Sequence, residues 1–581
     1  MSSPPGHVYD PRATYAPAGG GVERGWAAAA AALPDVPCVL AVDGPVILAW
    51  DELVRGLGDA VRESGRSISF ARTSDALAPW DTILARTSSI ALKDDPDFET
   101  IPSLQLSDLF DRRPDPAGVV GSDVVEGDVA DVRVVIGPGA AFAQHDVLWY
   151  ADLPKRYAER AVARGSGANL GQGAEDARPT TRRLFYVDWP LLDRHRDAVA
   201  DGVDRWLDMQ EPAAPAHLDN DTLTATLGQL ARRPFRTRTW FNSTPWGGHW
   251  AQRRLGMQLE APNTALGYEL IAPESGILVG DDGLSAEVPL QLLVSRHPVD
   301  VLGARVHRTF GSSFPIRFDY LDTQGGSDLS VHCHPQPEYM RRVFGWPYTQ
   351  HETYYLMSNS PGSRVFLGLR EGVDVDVFAK QAHHAEHHGT EFDIEQYVQT
   401  FPADEHQLFL IPAGTPHGSG AGNVVLEISA TPYLYSLRLY DWLRTDAMGA
   451  LRPVHVDHAF TNLDQERTGD AVGRDLVQRP RELRRGPDWR DELIGALPQM
   501  FFEIRRLQLD GPTPVRTSTD DGFHVLNVVQ GEGVTIEMDN GASHQLAYAE
   551  TVVVPASVGS YTVRRTGVTT TRVVRSVIRE D

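Results

Sequence analysis

A His-x-His pair in mid-chain, answered later by a Pro-x-Gly-x-x-His turn, constrains this chain more than any other feature. The first stretch reads Gly326-Ser327-Asp328-Leu329-Ser330-Val331-His332-Cys333-His334-Pro335-Gln336-Pro337-Glu338-Tyr339. Strand side chains alternate between faces, so His332 and His334 point the same way, roughly 6.6 Å apart along the strand. Cys333 points to the opposite face. The second stretch reads Leu408-Phe409-Leu410-Ile411-Pro412-Ala413-Gly414-Thr415-Pro416-His417. An apolar strand runs into a turn that presents a third histidine. Three neutral imidazoles converging from two segments suit one divalent cation.

The two motifs, in this order and each at the edge of an apolar strand, resemble the two-part signature of the cupin barrel. From about Phe501 a second run has the same outline, with Gly522-Phe523-His524-Val525-Leu526 and Thr551-Val552-Val553-Val554-Pro555. Its turn, Pro555-Ala556-Ser557-Val558-Gly559, carries no histidine. The expected C-terminal architecture is an all-β double cupin, or jelly roll, in which only the first barrel holds metal.

The chain has 581 residues, too many for one core. Residues 34–235 alternate strand-like and helix-like patterns, which predicts an α/β domain with a parallel sheet. Its first strand, Pro37-Cys38-Val39-Leu40-Ala41-Val42-Asp43-Gly44, is similar to the opening of P-loop nucleoside kinases such as uridine kinases. Gly44-Pro45-Val46-Ile47-Leu48-Ala49-Trp50-Asp51 lacks the Gly-Lys-Ser/Thr of a working loop. Arg156, Arg160 and Arg164 resemble a kinase lid helix, or equally a solvated helix face. This resemblance implies a degenerate kinase-like, pseudokinase module. The expected organisation is a tail and early helix over 1–33 and the α/β domain over 34–235. A metal-binding cupin follows over 236–450, with a helical insert at about 371–400. A helical linker over 451–500 leads to a ligand-free cupin over 501–581.

Residues from about 235 to 581 resemble class I mannose-6-phosphate isomerase. Trp246-Gly247-Gly248, Leu329-Ser330-Val331-His332-Cys333-His334-Pro335, Pro412-Ala413-Gly414-Thr415-Pro416-His417, Leu426-Glu427-Ile428 and Arg438-Leu439-Tyr440-Asp441-Trp442 carry the likeness. The resemblance implies one divalent metal, zinc first and Fe, Mn, Ni or Co as alternatives, held by His332, His334, Glu352 and His417. The generic cupin spacing would instead take the carboxylate from Glu338. It further implies isomerisation of an aldose phosphate to its ketose, mannose 6-phosphate to fructose 6-phosphate, through an enediolate that the metal stabilises. Arg438 is the candidate for fixed positive charge. His351, Glu427 or a hydroxide on the ion are candidates for moving the proton, and Lys380 and Arg364 for holding phosphate. Three positions depart from the family: His332 stands for its Gln, Gln350 for a Lys, and the Ser-Asp after Leu-Glu-Ile is absent. The alternatives are a non-catalytic sugar-phosphate sensor, an isomerase of another sugar, or another metal-dependent cupin chemistry.

A net charge of −24 argues against nucleic acid and anionic membranes as partners. No run approaches a membrane span. The start shows no secretory pattern, and Cys38 and Cys333 both lie in apolar runs, so a cytoplasmic protein with buried thiols is expected. The tract His383-His384-Ala385-Glu386-His387-His388 reads as a polar helix face, with a second metal site as the alternative.

Overall fold

A computed structural model describes residues 8–116, 130–173, 175–176, 179–257, 261–281, 283–432, 434–446 and 449–579. The first domain is built on strands β1 (Cys38–Asp43), β2 (Ile68–Arg72), β3 (Val132–Ile136), β4 (Val147–Asp152), β5 (Arg205–Asp208) and β6 (Ala216–Asp219). Their order is β6-β5-β4-β1-β3-β2, with Glu23–Arg24 pairing outside β6. β1 to β5 run parallel, as their buried apolar runs require. The sheet is nonetheless mixed, because β6 and Glu23–Arg24 pair antiparallel at one edge. Leu40 and Val42 face the helices Trp26–Ala31 and Trp50–Glu63, while Ala41 faces the core that includes Leu223 and Leu227.

Asp43 ends β1 fully buried. Its carboxylate accepts from the N–H groups of Gly44 at 2.8 Å, Gly139 at 3.0 Å and Ala141 at 2.8 Å, and meets His195 Nε2 at 2.8 Å. The loop after β1 is therefore closed on the chain's own carboxylate.

Asp152, at the end of β4, is pushed up to about 7 by burial, with Asp208 and Asp193 adding to the rise against Arg196. The neutral carboxyl is the form the fold prefers. As pH climbs from the ordinary carboxylate range to about 7, the unfolded chain ionises first and stability falls. Asp152→Asn should therefore melt higher than the parent at pH 8, with the gap closing at pH 4. The upper limit of the gain is about 1.4 kcal/mol for each unit of that window.

The C-terminal half is two fused barrels. The first has a six-stranded sheet containing β7 (Leu266–Leu270), β8 (Ile316–Asp322), β9 (Glu352–Asn359), β10 (Leu408–Ile411) and β11 (Asn423–Ala430), in the order β10-β9-β11-β8-β7 followed by Trp240–Phe241. The facing five-stranded sheet runs Val398–Pro402, Arg364–Leu369, His417–Ser419, Val331–Cys333, Leu437–Tyr440. The second barrel has six- and four-stranded sheets. Arg481–Arg485 and Trp489–Gly495, expected in a linker, are strands of the larger one. Helix Val375–His388 fills the expected insert, but further helices, Leu290–Arg296, Pro298–Leu302 and Ala304–Phe310 among them, also interrupt the β pattern.

Residues 8–16 are not a free tail. Thr14–Tyr15 pairs parallel with Gly276–Gly280, and Tyr9 donates to Glu269 at 2.5 Å. Arg156 is neither a lid residue nor solvated: it is buried and holds Glu287 with contacts of 2.7 and 2.6 Å, tying the first domain to the barrels. One apolar cluster runs from Leu148 and Trp206 through Phe318 and Ile428 to Val553, so all three units share a core.

Candidate metal centre

Strand alternation delivers what the His-x-His spacing requires. His332 pairs across the sheet with His417, and both turn into the first barrel. Gly414, at a φ of 82°, makes the turn before His417; a Cβ there would stand 2.7 Å from the Asn462 carbonyl oxygen. The Gly414 N–H also donates to the His334 carbonyl at 2.9 Å, so one motif holds the other.

Each imidazole is oriented by its own backbone. His332 Nδ1 lies 3.0 Å from the Ser330 carbonyl, His334 Nδ1 3.3 Å from that of Tyr435, and His417 Nδ1 2.9 Å from that of Thr415. A carbonyl only accepts, so each Nδ1 carries the proton and each Nε2 presents a lone pair inward. Glu352, first residue of β9, meets His334 Nε2 at 2.5 Å and His417 Nε2 at 3.5 Å. The ligand atoms of His332, His334, Glu352 and His417 all lie within 4.8 Å of one another, and all four residues are buried.

This geometry fits a cation. Neutral Nε2 atoms and a carboxylate are all acceptors, and facing each other they repel unless positive charge stands between them. Glu352 Oε1 has no hydrogen-bond partner among the described residues. Burial pushes His332 far below its ordinary range, with His417 and His334 adding to the shift. Three neutral histidines and one ionised carboxylate fit a single divalent ion, zinc. Glu338 sits exposed on the turn Pro337–Tyr339 and is not part of the cluster.

A charged row lies beside these ligands; its Glu427 was a candidate from the sequence, whereas Arg317 and Asp319 were not. Asp319 on β8 pairs with Glu427 on β11, which pairs with Tyr354 on β9; one step along, Arg317 and Glu352 flank Ser429. Arg317 donates to Glu427 through Nε at 3.1 Å and Nη2, and its Nε stands 3.1 Å from Asp319. Burial drives Asp319 up to about 7 and raises Glu427 well above its usual range; Arg317 opposes both shifts. The signal was present in Ile316-Arg317-Phe318-Asp319-Tyr320: charges at alternate positions between large apolar residues mark a strand with a polar inner face.

The remaining sequence candidates separate. Arg438 pairs with His332 across the sheet, but its Nη1 donates to the Pro453 carbonyl at 2.9 Å. His351 does not join the site: its Nδ1 accepts from the Ala413 N–H at 3.1 Å, and burial lowers it to about 4, with His334 and Arg467 adding. That lone pair is already used. Lys380 is exposed on the helical insert, and Arg364 pairs with Glu395 at 2.7 Å, so neither faces the metal ligands. His383, Glu386 and His387 come within metal-holding distance at the surface, where His383 Nε2 meets Asp457 at 3.1 Å.

The N-terminal domain matches a family model described as Domain of unknown function (DUF8485) over residues 25–232. About half of the chain is similar to mannose-6-phosphate isomerases. That of Streptococcus mutans is 23% identical over 328 residues, covering 54% of this chain and 90% of the relative. Mannose-6-phosphate isomerase ManA of Bacillus subtilis is 26% identical over 310 residues, covering 52% and 88%. The crystal structure of the Bacillus subtilis isomerase aligns with a TM-score of 0.48 and 18% identity, over 60% of this chain and all of that one. A zinc-bound mannose 6-phosphate isomerase aligns with a TM-score of 0.46 and 13% identity, over the same shares. Among the described residues, no helix is long and apolar enough to cross a membrane.

Proposed function

We propose that the protein is a metal-dependent aldose–ketose isomerase of a sugar phosphate, with mannose 6-phosphate and fructose 6-phosphate as its substrate pair. The observation that carries this reading is the buried three-histidine, one-glutamate cluster, set in the half of the chain that is similar to mannose-6-phosphate isomerases. The reaction moves a proton between neighbouring carbons while negative charge develops on the flanking oxygens. A divalent ion held by His332, His334, Glu352 and His417 would supply Lewis acidity to those oxygens.

The chain's own residues would do the rest. Glu427 is the group we assign to proton transfer. It is buried on the same inner face as Glu352, and burial raises it well above the ordinary carboxylate range, which favours the protonated form of a group that must hold and release a proton. Arg317 holds that carboxylate in place and offsets part of the shift, while Ser429 Oγ donates to the same oxygen at 3.0 Å. The barrel wall excludes water from this row, which strengthens each of these interactions. Arg438, one strand-pair from His332, supplies positive charge at the rim.

A coupled assay for fructose 6-phosphate tests the reading. Turnover of mannose 6-phosphate that falls with a chelator and returns with zinc is the expected result. Zinc-loaded protein that converts no hexose phosphate in a panel would refute it.

A further inference from the structure

Where the N-terminal domain abuts the first barrel there is a cavity of about 290 Å³. Thr431, Tyr435 and Trp346 line it from the barrel, and Trp189, Lys155 and Arg194 from the N-terminal domain. It sits at the metal end of the barrel. Thr431 directly follows β11, whose Ser429 pairs with Glu352, and the Tyr435 carbonyl is the acceptor that orients His334.

Three polar atoms on residues that line this space have no hydrogen-bond partner among the described residues: Thr431 Oγ1, Tyr435 Oη and Arg194 Nε. Thr431 and Tyr435 are each only 2% exposed. Buried polar atoms without partners are costly and rare, and three on residues lining one cavity call for a ligand rich in hydroxyl groups. The aromatic walls suit the apolar C–H face of a sugar ring, and Lys155 Nζ, 4.9 Å from the Trp189 ring centre, braces one of them. Asp193 and Asp197 also line the cavity, and Asp193 already engages Lys155. These acids disfavour a phosphate group here and favour the neutral ring of the sugar.

We propose that this cavity binds a carbohydrate ring, and that the N-terminal domain is a substrate-recognition element supplying one wall of the site through Trp189, Lys155 and Arg194. The proposal deepens the isomerase reading and rests on it for the identity of the sugar. Neither domain holds the whole set of unpartnered atoms: Arg194 belongs to one, Thr431 and Tyr435 to the barrel.

The test is calorimetric titration of the full, zinc-loaded chain with mannose 6-phosphate and with free mannose, fructose and glucose. The same titrations are run on Trp189→Ala, Lys155→Met and Thr431→Val, with zinc content and melting temperature measured on each sample. The dissociation constant should rise about tenfold in Trp189→Ala and about three- to tenfold in Thr431→Val, the loss of one hydrogen bond, with zinc content unchanged. Where turnover is seen, the loss should fall on KM more than on kcat. If Trp189→Ala fails to fold, Lys155→Met and Thr431→Val decide. Parent-like affinity in folded variants, or no binding of any of these sugars by the parent, overturns the proposal. Sugar binding that depends on Trp189 without turnover would leave the proposal standing and defeat the isomerase reading instead.

Discussion

His417→Ala should release the bound ion and abolish turnover while leaving the fold in place. His417 stands at the centre of the donor set, its ring centre 4.3 Å from that of His332 and 5.1 Å from that of His334. Losing even a group that only orients a ligand costs about 10–100-fold in metal affinity, so losing the ligand itself should cost more than about 100-fold. Elemental analysis after dialysis should find the variant metal-free beside a parent carrying one ion per chain. The cavity left is small and polar, and the strand pairing of His417–Ser419 is backbone-made, so circular dichroism should be unchanged. Activity that survives without metal would contradict the account.

Arg317→Met should be the most destabilising single change in the barrel wall. Asp319 and Glu427 are fully or nearly fully buried, and Arg317 is the cation between them. Removing one partner of a buried ion pair costs about 3–5 kcal/mol, because the remaining charge is stranded. With the guanidinium gone the carboxyls shift further toward their neutral forms, so the loss should deepen as pH rises. Adding Glu427→Gln to Arg317→Met should recover part of the loss, since the two positions are in contact and their effects cannot add. Denaturant unfolding measures both. A loss below about 1 kcal/mol would show that Arg317 does not carry this role.

The metal histidines were legible in the sequence because their geometry is local. A two-residue strand repeat fixes His332 and His334 on one face, and a glycine turn fixes His417. The carboxylate was harder, because Glu352 arrives from a different strand and Glu338 satisfies the linear spacing equally well. Only the partner strands of β9 decide between them. His351, Lys380 and Arg364 illustrate the same limit: a charge in the sequence does not say which way it faces, and His351 and Arg364 are turned to partners elsewhere while Lys380 lies exposed on the insert. Arg481–Arg485 escaped notice as a strand because four of its five residues are charged. It is an outer strand held by backbone pairing to Trp489–Gly495, so it needs no apolar alternation. The contact between the N-terminal domain and the metal end of the barrel joins residues far apart in sequence, such as Arg156 with Glu287 and Tyr186 with the Leu434 carbonyl. No local pattern encodes such pairs.

X-ray absorption at the zinc edge of the loaded full chain tests the central claim most directly. One ion bound by His332, His334, Glu352 and His417 predicts a shell of light N and O scatterers at about 2.0–2.1 Å with the multiple-scattering signature of three imidazoles. A sulfur shell at about 2.3 Å, or a spectrum of one imidazole or none, would place the metal elsewhere and contradict it.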